Sequence, residues 1–289
     1  MKGAKMLTQV REAISNLNPH DVRDIADRPF ALELYAADNP GYWKMERFFV
    51  PAEASVERRA EIRRVIFRAG EANAPSIIRI YEEGMTPAAD GFVFDPDNPE
   101  RTVEEILEKH QDLSIALARR VCPFRPPVVK QIIRTVSKEN ALFSVATAVP
   151  AVLPLISLPW AVGEFASDTA FLTANQMRMA FQLAAASDRE VGYKKQRSEI
   201  ASLIAGAFGW RALARELVGH IPMGGGLIPK AAVAYAGTYV VGLSLERYYR
   251  LGYHFTREER KHAYEAAFDR GKQLVSGFLE QYRTKHKAS

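Results

Sequence analysis

Two carboxylates one helical turn apart, Glu164 and Asp168, follow directly on the longest uncharged run of the chain. Buried together, such a pair binds a cation or exchanges a proton; at the wet start of a helix the same acids only complement the helix dipole. Gln176 and Arg178 lie on the same expected helix, so the candidate polar site is Glu164, Asp168, Gln176 and Arg178. No third catalytic partner accompanies them, and no catalytic residue is assigned. A second kind of chemistry is electrostatic. Arg119, Arg120, Arg125, Lys130, Arg134 and Lys138 form a series with no acid inside it, placed just ahead of the uncharged run. That is the arrangement expected where a cytoplasmic flank meets anionic lipid, or where a basic helix face meets an acidic partner.

Other chemistries lack their signatures. The glycines around Gly219-His220-Ile221-Pro222-Met223-Gly224 are not followed by the Lys and Ser or Thr of a phosphate loop, so they read as a turn between helices. The six histidines show no His-Glu-x-x-His spacing, and the lone cysteine, Cys122, makes neither a disulfide nor a metal clip. No metal and no cofactor are therefore expected. Asp95, Asp97 and Glu100 are interrupted by prolines where a calcium loop needs other residues, and read as a solvated linker. No nucleophile elbow is present.

The elements that must position these residues are mostly helical. The 289 residues are 47% hydrophobic and 25% charged, an ordinary globular composition. The net charge of +5 arises from 39 basic against 34 acidic residues, too slight an excess for a nucleic-acid binder. Punctuation by Pro and Gly divides the first hundred residues into short helices and turns. Ser55 caps a helix whose apolar stripe is Ile62, Val65, Ile66 and Ala69, with Gly70 as its stop. Thr102 and Glu105 form a capping box opening a helix through Leu117, and Pro126-Pro127 starts another that shows Val129, Ile132, Ile133 and Val136 on one side. The best small strand candidate is Phe92 to Phe94.

From Ala141 to Gly163 there are 23 residues without a charge, long enough to cross a bilayer. Pro150, Pro154 and Pro159 favour a kinked or re-entrant path over a straight span. The following helix, to about Ala186, is expected to be amphipathic, with Asp168, Asn175, Arg178 and Gln182 on its polar face. Leu217 to Leu245 is a second apolar stretch, broken at Pro222 and Gly224–Gly226 into a hairpin. Thr256 and Glu259 repeat the capping-box pattern and open a last helix.

The segment HIPMGGGLIPKAAVAYAGTYVVGLSLERYY, with PWAVGEFASDTAFLTANQMRMAFQLAAAS before it, resembles the YcjF-like family, a bacterial helical domain of unknown function (number 697) often found with or beside GTPases. The resemblance covers roughly residues 128–251. It implies family positions at Asp168, Gln176, Pro222, Gly224, Thr238 and Gly242, and a GTPase as partner, since the first 125 residues hold no GTPase motif.

Together these features describe an all-α, multi-helix bundle with two apolar helical hairpins. Three regions are expected: 1–100, mostly helical with turns; 101–255, the YcjF-like part; and 256–289, a C-terminal amphipathic helix. The favoured function is a non-enzymatic, membrane-associated interaction protein. The N-terminus shows no secretory signal, which with the lone cysteine places the chain in the cytoplasm, at the inner face of the membrane. The alternatives are a soluble enzyme built on Glu164 and Asp168, with His220 or Arg178 brought near by folding, and a soluble scaffold that forms homo-oligomers through its small-residue helices.

Overall fold

The computed structural model describes residues 17–148, 168–196, 198–199 and 226–287. Over these residues the chain is mixed α/β: nine α-helices accompany a four-stranded parallel sheet, which corrects the all-α expectation. The chain divides into two compact units. A sheet unit comprises His20–Lys130 and Ala184–Val191; a helical unit takes in, among the described residues, 17–19, 131–148, 168–183 and those from Gly192 onward.

In the sheet unit α1 (Pro19–Ala26, counted with it from His20) leads to β1 (Ala31–Tyr35), α2 (Asn39–Phe49), α3 (Val56–Arg63), β2 (Ile66–Arg68), β3 (Ile77–Tyr81), β4 (Phe92–Val93), α4 (Pro99–Lys109) and α5 (Ser114–Arg120). The strand order is β2-β1-β3-β4, all parallel. The candidate at Phe92–Phe94 forms the shortest strand, β4, while β1 and β3, of five residues each, and β2, of three, are too short to show a sustained alternation. The expected stripe Ile62-Val65-Ile66-Ala69 is split: α3 ends at Arg63 and Ile66 opens β2. Gly70, at φ +78°, turns the chain after that strand and does not end a helix. Ser55 does cap α3, its Oγ accepting from the Arg58 amide at 3.2 Å.

Register puts Leu32, Leu34, Ile78, Ile80 and Phe92 on one face, all buried. With Met45, Phe49, Val103, Ile106 and Phe124, also buried, they form the core of this unit. The other face carries Glu33, Tyr35, Arg79 and Tyr81. The β2–β3 connection runs only from residue 69 to 76, whereas a parallel crossover usually takes about a dozen residues or more, commonly a helix. The buried Glu33 carboxylate on the intervening β1 holds this loop, accepting from the amides of Gly70 (2.8 Å) and Ala72 (3.2 Å) while its other oxygen accepts from Tyr35 Oη (2.7 Å).

Helix α4 starts at Pro99, so Thr102 is not its cap. The Thr102 hydroxyl lies inside, donating to the Val93 carbonyl (3.1 Å) and accepting from the Asp95 amide (3.2 Å). The helix also stops at Lys109 and does not continue through Leu117, which belongs to α5.

The helical unit is built from α6 (Arg125–Ala146, counted with it from Gln131), α7 (Asp168–Ala186, counted with it to Leu183), α8 (Leu227–Leu251) and α9 (Arg257–Lys287). Pro126 and Pro127 sit in the first turn of α6, where a missing amide donor costs nothing. Helix α7 departs from the amphipathic expectation, being buried on nearly every side, the mark of a core helix. Gly252, at φ +83°, ends α8, and the expected capping box opens α9: the Thr256 amide donates to Glu259 Oε2 (2.8 Å) and the Glu259 amide to Thr256 Oγ1 (3.2 Å). The two helices meet closely at Gly271, where a Cβ would lie 3.1 Å from Ala232 Cα. No helix among the described residues is long and apolar enough to cross a membrane. Most of the first apolar run, 149–163, and part of the second, 217–225, lie outside the described residues.

Candidate functional site

The densest polar chemistry lies inside the helical unit, where α6, α7 and α8 face one another. Thr238 Oγ1 on α8 accepts from Asn140 Nδ2 on α6 (2.7 Å) and Gln176 Nε2 on α7 (3.1 Å). Asn140 Oδ1 accepts from Asn175 Nδ2 (2.9 Å), which also donates to Glu139 Oε2 (3.0 Å). Arg178 closes the chain, donating to Asn175 Oδ1 through Nε (3.0 Å) and a terminal nitrogen (2.8 Å) and pairing with Glu139. Burial pulls the Arg178 guanidinium below its ordinary range, while the Glu139 carboxylate beside it opposes that shift. Next to the network Gly242 admits a close approach: a Cβ there would lie 2.8 Å from Ile133 Cγ1 and 3.1 Å from Met179 Sδ.

Thus Gln176, Arg178 and Thr238 come together, with Gly242 alongside. Asp168 opens α7, but its side chain is outside the described structure, as are Glu164, Pro222 and Gly224. Asn140, Asn175 and Glu139 are the residues that sequence reading missed. Asn140 had a signal: it continues the helical stripe Val129-Ile133-Val136 where an apolar residue would be expected. Asn175 falls on the expected polar face of α7, and pattern alone does not reveal that this face is enclosed. The network's groups answer one another, which specifies how three helices align. Among the described residues no group of three or more His, Cys, Asp or Glu could hold a metal ion.

The basic series divides in two. Arg125 is turned inward, donating to the carbonyls of Ala118 (3.3 Å), Ala186 (2.9 Å) and Arg119 (3.4 Å); burial lowers its pKa. Arg119 lies 3.6 Å from Asp188 and 3.8 Å from Asp27. Arg58 joins them, paired with Asp188 at 2.5 Å and donating to the carbonyls of Arg119 (2.6 Å) and Arg120 (3.1 Å). Arg58 and Arg125 thereby satisfy carbonyls at helix C-termini within the sheet unit, and Arg119 stands between two aspartates. Arg120 is half-buried. Lys130, Arg134 and Lys138, in contrast, are exposed at successive i, i+4 positions of α6, and none forms an ion pair among the described residues.

The carboxyl edge of the parallel sheet, where α/β units commonly bind ligands, is filled by the protein's own acids. Asp38 caps α2 by accepting from the Gly41 amide (2.8 Å), and Glu82 lies against Gly41 while accepting from the Ala37 amide (2.9 Å). The helix terminus that could take a phosphate is thereby occupied. Comparison with family models, with curated proteins and with solved structures finds no match to this chain.

Proposed function

We propose that the chain is a non-enzymatic interaction protein that works at an anionic membrane surface on the cytoplasmic side, with Lys130, Arg134 and Lys138 as its headgroup contacts. One observation carries this reading: three exposed cations with no ion pair among the described residues stand in a row on the helix that leads into the uncharged run beginning at Ala141. Arg119, Arg120 and Arg125 drop out of the contact set, because Arg119 stands beside Asp27 and Asp188, Arg120 is half-buried and Arg125 donates to backbone carbonyls. The buried network supports a scaffold role, since its polar groups bond to one another. A GTPase partner follows only from the family resemblance.

Each cation near an anionic surface contributes about 1 kcal/mol, so reversing three should weaken binding by at least roughly a hundred-fold. The test is cosedimentation of the full chain and of its K130E/R134E/K138E variant with vesicles containing phosphatidylserine, at low and high salt. Wild-type binding that falls with salt and is lost in the variant supports the reading. Equal binding by both proteins, or none by the wild type, overturns it.

A further inference from the structure

We infer that the turn of the α8–α9 hairpin is a second lipid contact, at which Leu251 and Tyr253 enter the interfacial layer of an anionic bilayer and Arg257, Arg260 and Lys261 meet its headgroups. This rests on the membrane-surface reading above and adds a site to it. Leu251 is 44% exposed and Tyr253 53%, two of the five large exposed hydrophobic residues among those described, and they stand two positions apart.

Their exposure is built in. Gly252 caps α8 in the left-handed conformation, and the Thr256–Glu259 box fixes the start of α9. Arg247 ties the two ends together, bonding Glu259 Oε1 at 2.7 Å while its guanidinium lies over the rings of Tyr253 (4.9 Å) and Phe255 (4.8 Å). Tyr248 and His254 stack at 4.5 Å. A turn held at this many points keeps Leu251 and Tyr253 outward.

Charge and area choose the occupant. Arg257, Arg260 and Lys261 are exposed and form no ion pair among the described residues, whereas Arg250 is neutralised by Glu246 at 2.7 Å; the exposed acids that oppose them are Glu258 and, one turn past Lys261, Glu265, so three cations face two carboxylates. The end of two adjacent helices, each about 10–12 Å across, offers roughly 200 Å². A stable protein interface needs about 800 Å² per partner, so the tip is too small for one. A bilayer imposes no such minimum, and an aliphatic side chain beside a tyrosine and flanking cations is interfacial chemistry.

The test places the fluorophore NBD on the full chain at Leu251→Cys in a Cys122→Ser background, with exposed Glu280→Cys on α9 as control. Vesicles containing phosphatidylserine should shift the emission at position 251 to the blue and leave position 280 unchanged. L251S/Y253S, checked for unaltered circular dichroism, should partition about ten-fold more weakly. A water-like signal at 251 on vesicles that the wild type binds, or an unweakened double variant, overturns the tip contact and leaves the surface reading intact. Absence of wild-type binding overturns both. A blue shift without vesicles, with a doubled mass in light scattering, assigns the tip to a second copy of the chain and overturns the lipid assignment.

Discussion

Thr238 offers one hydroxyl oxygen to two buried amide donors, so its loss strands both Asn140 Nδ2 and Gln176 Nε2. An unsatisfied buried group costs about 1–3 kcal/mol, and Thr238→Val should therefore destabilise the helical unit by about 3 kcal/mol in urea unfolding, with Thr238→Ser far milder. Glu139 and Arg178 are both largely buried, which makes breaking the pair costlier than removing it. Arg178→Met should lose about 3–5 kcal/mol by leaving a buried carboxylate uncompensated. The double variant E139Q/R178M should recover part of that loss, and a double-mutant cycle measures the coupling. Asn175 shows why such residues escape sequence reading: its type says surface, and only the helices around α7 say core.

At the scale of elements, the β2–β3 loop depends on a side chain from the strand it crosses. Glu33→Ala removes the acceptor of the Gly70 and Ala72 amides and of Tyr35 Oη, and should cost about 3 kcal/mol, since bonds to a charged group contribute about 1.5–3 kcal/mol each. Faster amide exchange at Gly70 and Ala72 reports it locally. The hairpin turn has its own pH dependence. Hydrogen bonding to the Thr256 amide, then the bond to Arg247, holds the Glu259 pKa below its ordinary value. A lowered folded-state pKa stabilises above the unfolded value and loses that stabilisation as pH falls through the folded one. The turn should therefore loosen only under acid conditions, below the usual glutamate range, and E259Q should flatten that window in thermal unfolding followed against pH. The capping boxes illustrate the limit of motif reading: Thr256–Glu259 forms as spelled, whereas Thr102 sits three residues inside α4, because Pro99 at the first turn and the Val93 carbonyl near its hydroxyl compete for the same sequence.

For the whole molecule, surface attachment predicts how the chain leaves a membrane. Exposed lysines and arginines lose their hold when the Debye length contracts to about 3 Å near 1 M salt. Fractionated cells expressing the untagged chain should release it from membranes with high salt, before alkaline carbonate is applied. Retention through both washes would contradict a surface contact.

The sequence by itself determined what local chemistry can fix: the Ser55 and Thr256 caps, the proline start of α6, the absence of a phosphate-loop signature, and the basic series ahead of the uncharged run. These depend on residues within one or two turns of each other. Tertiary structure decided what depends on distant neighbours. It paired five-residue strands such as ALELY and IIRIY, whose pattern is too short to declare itself, across an intervening crossover. It also sorted the six cations, setting Arg119 beside Asp27 and Asp188, half-burying Arg120, turning Arg125 onto backbone carbonyls and leaving Lys130, Arg134 and Lys138 outside. Finally it enclosed Asn140, Asn175 and Arg178, because burial belongs to the surroundings of a side chain and not to its type.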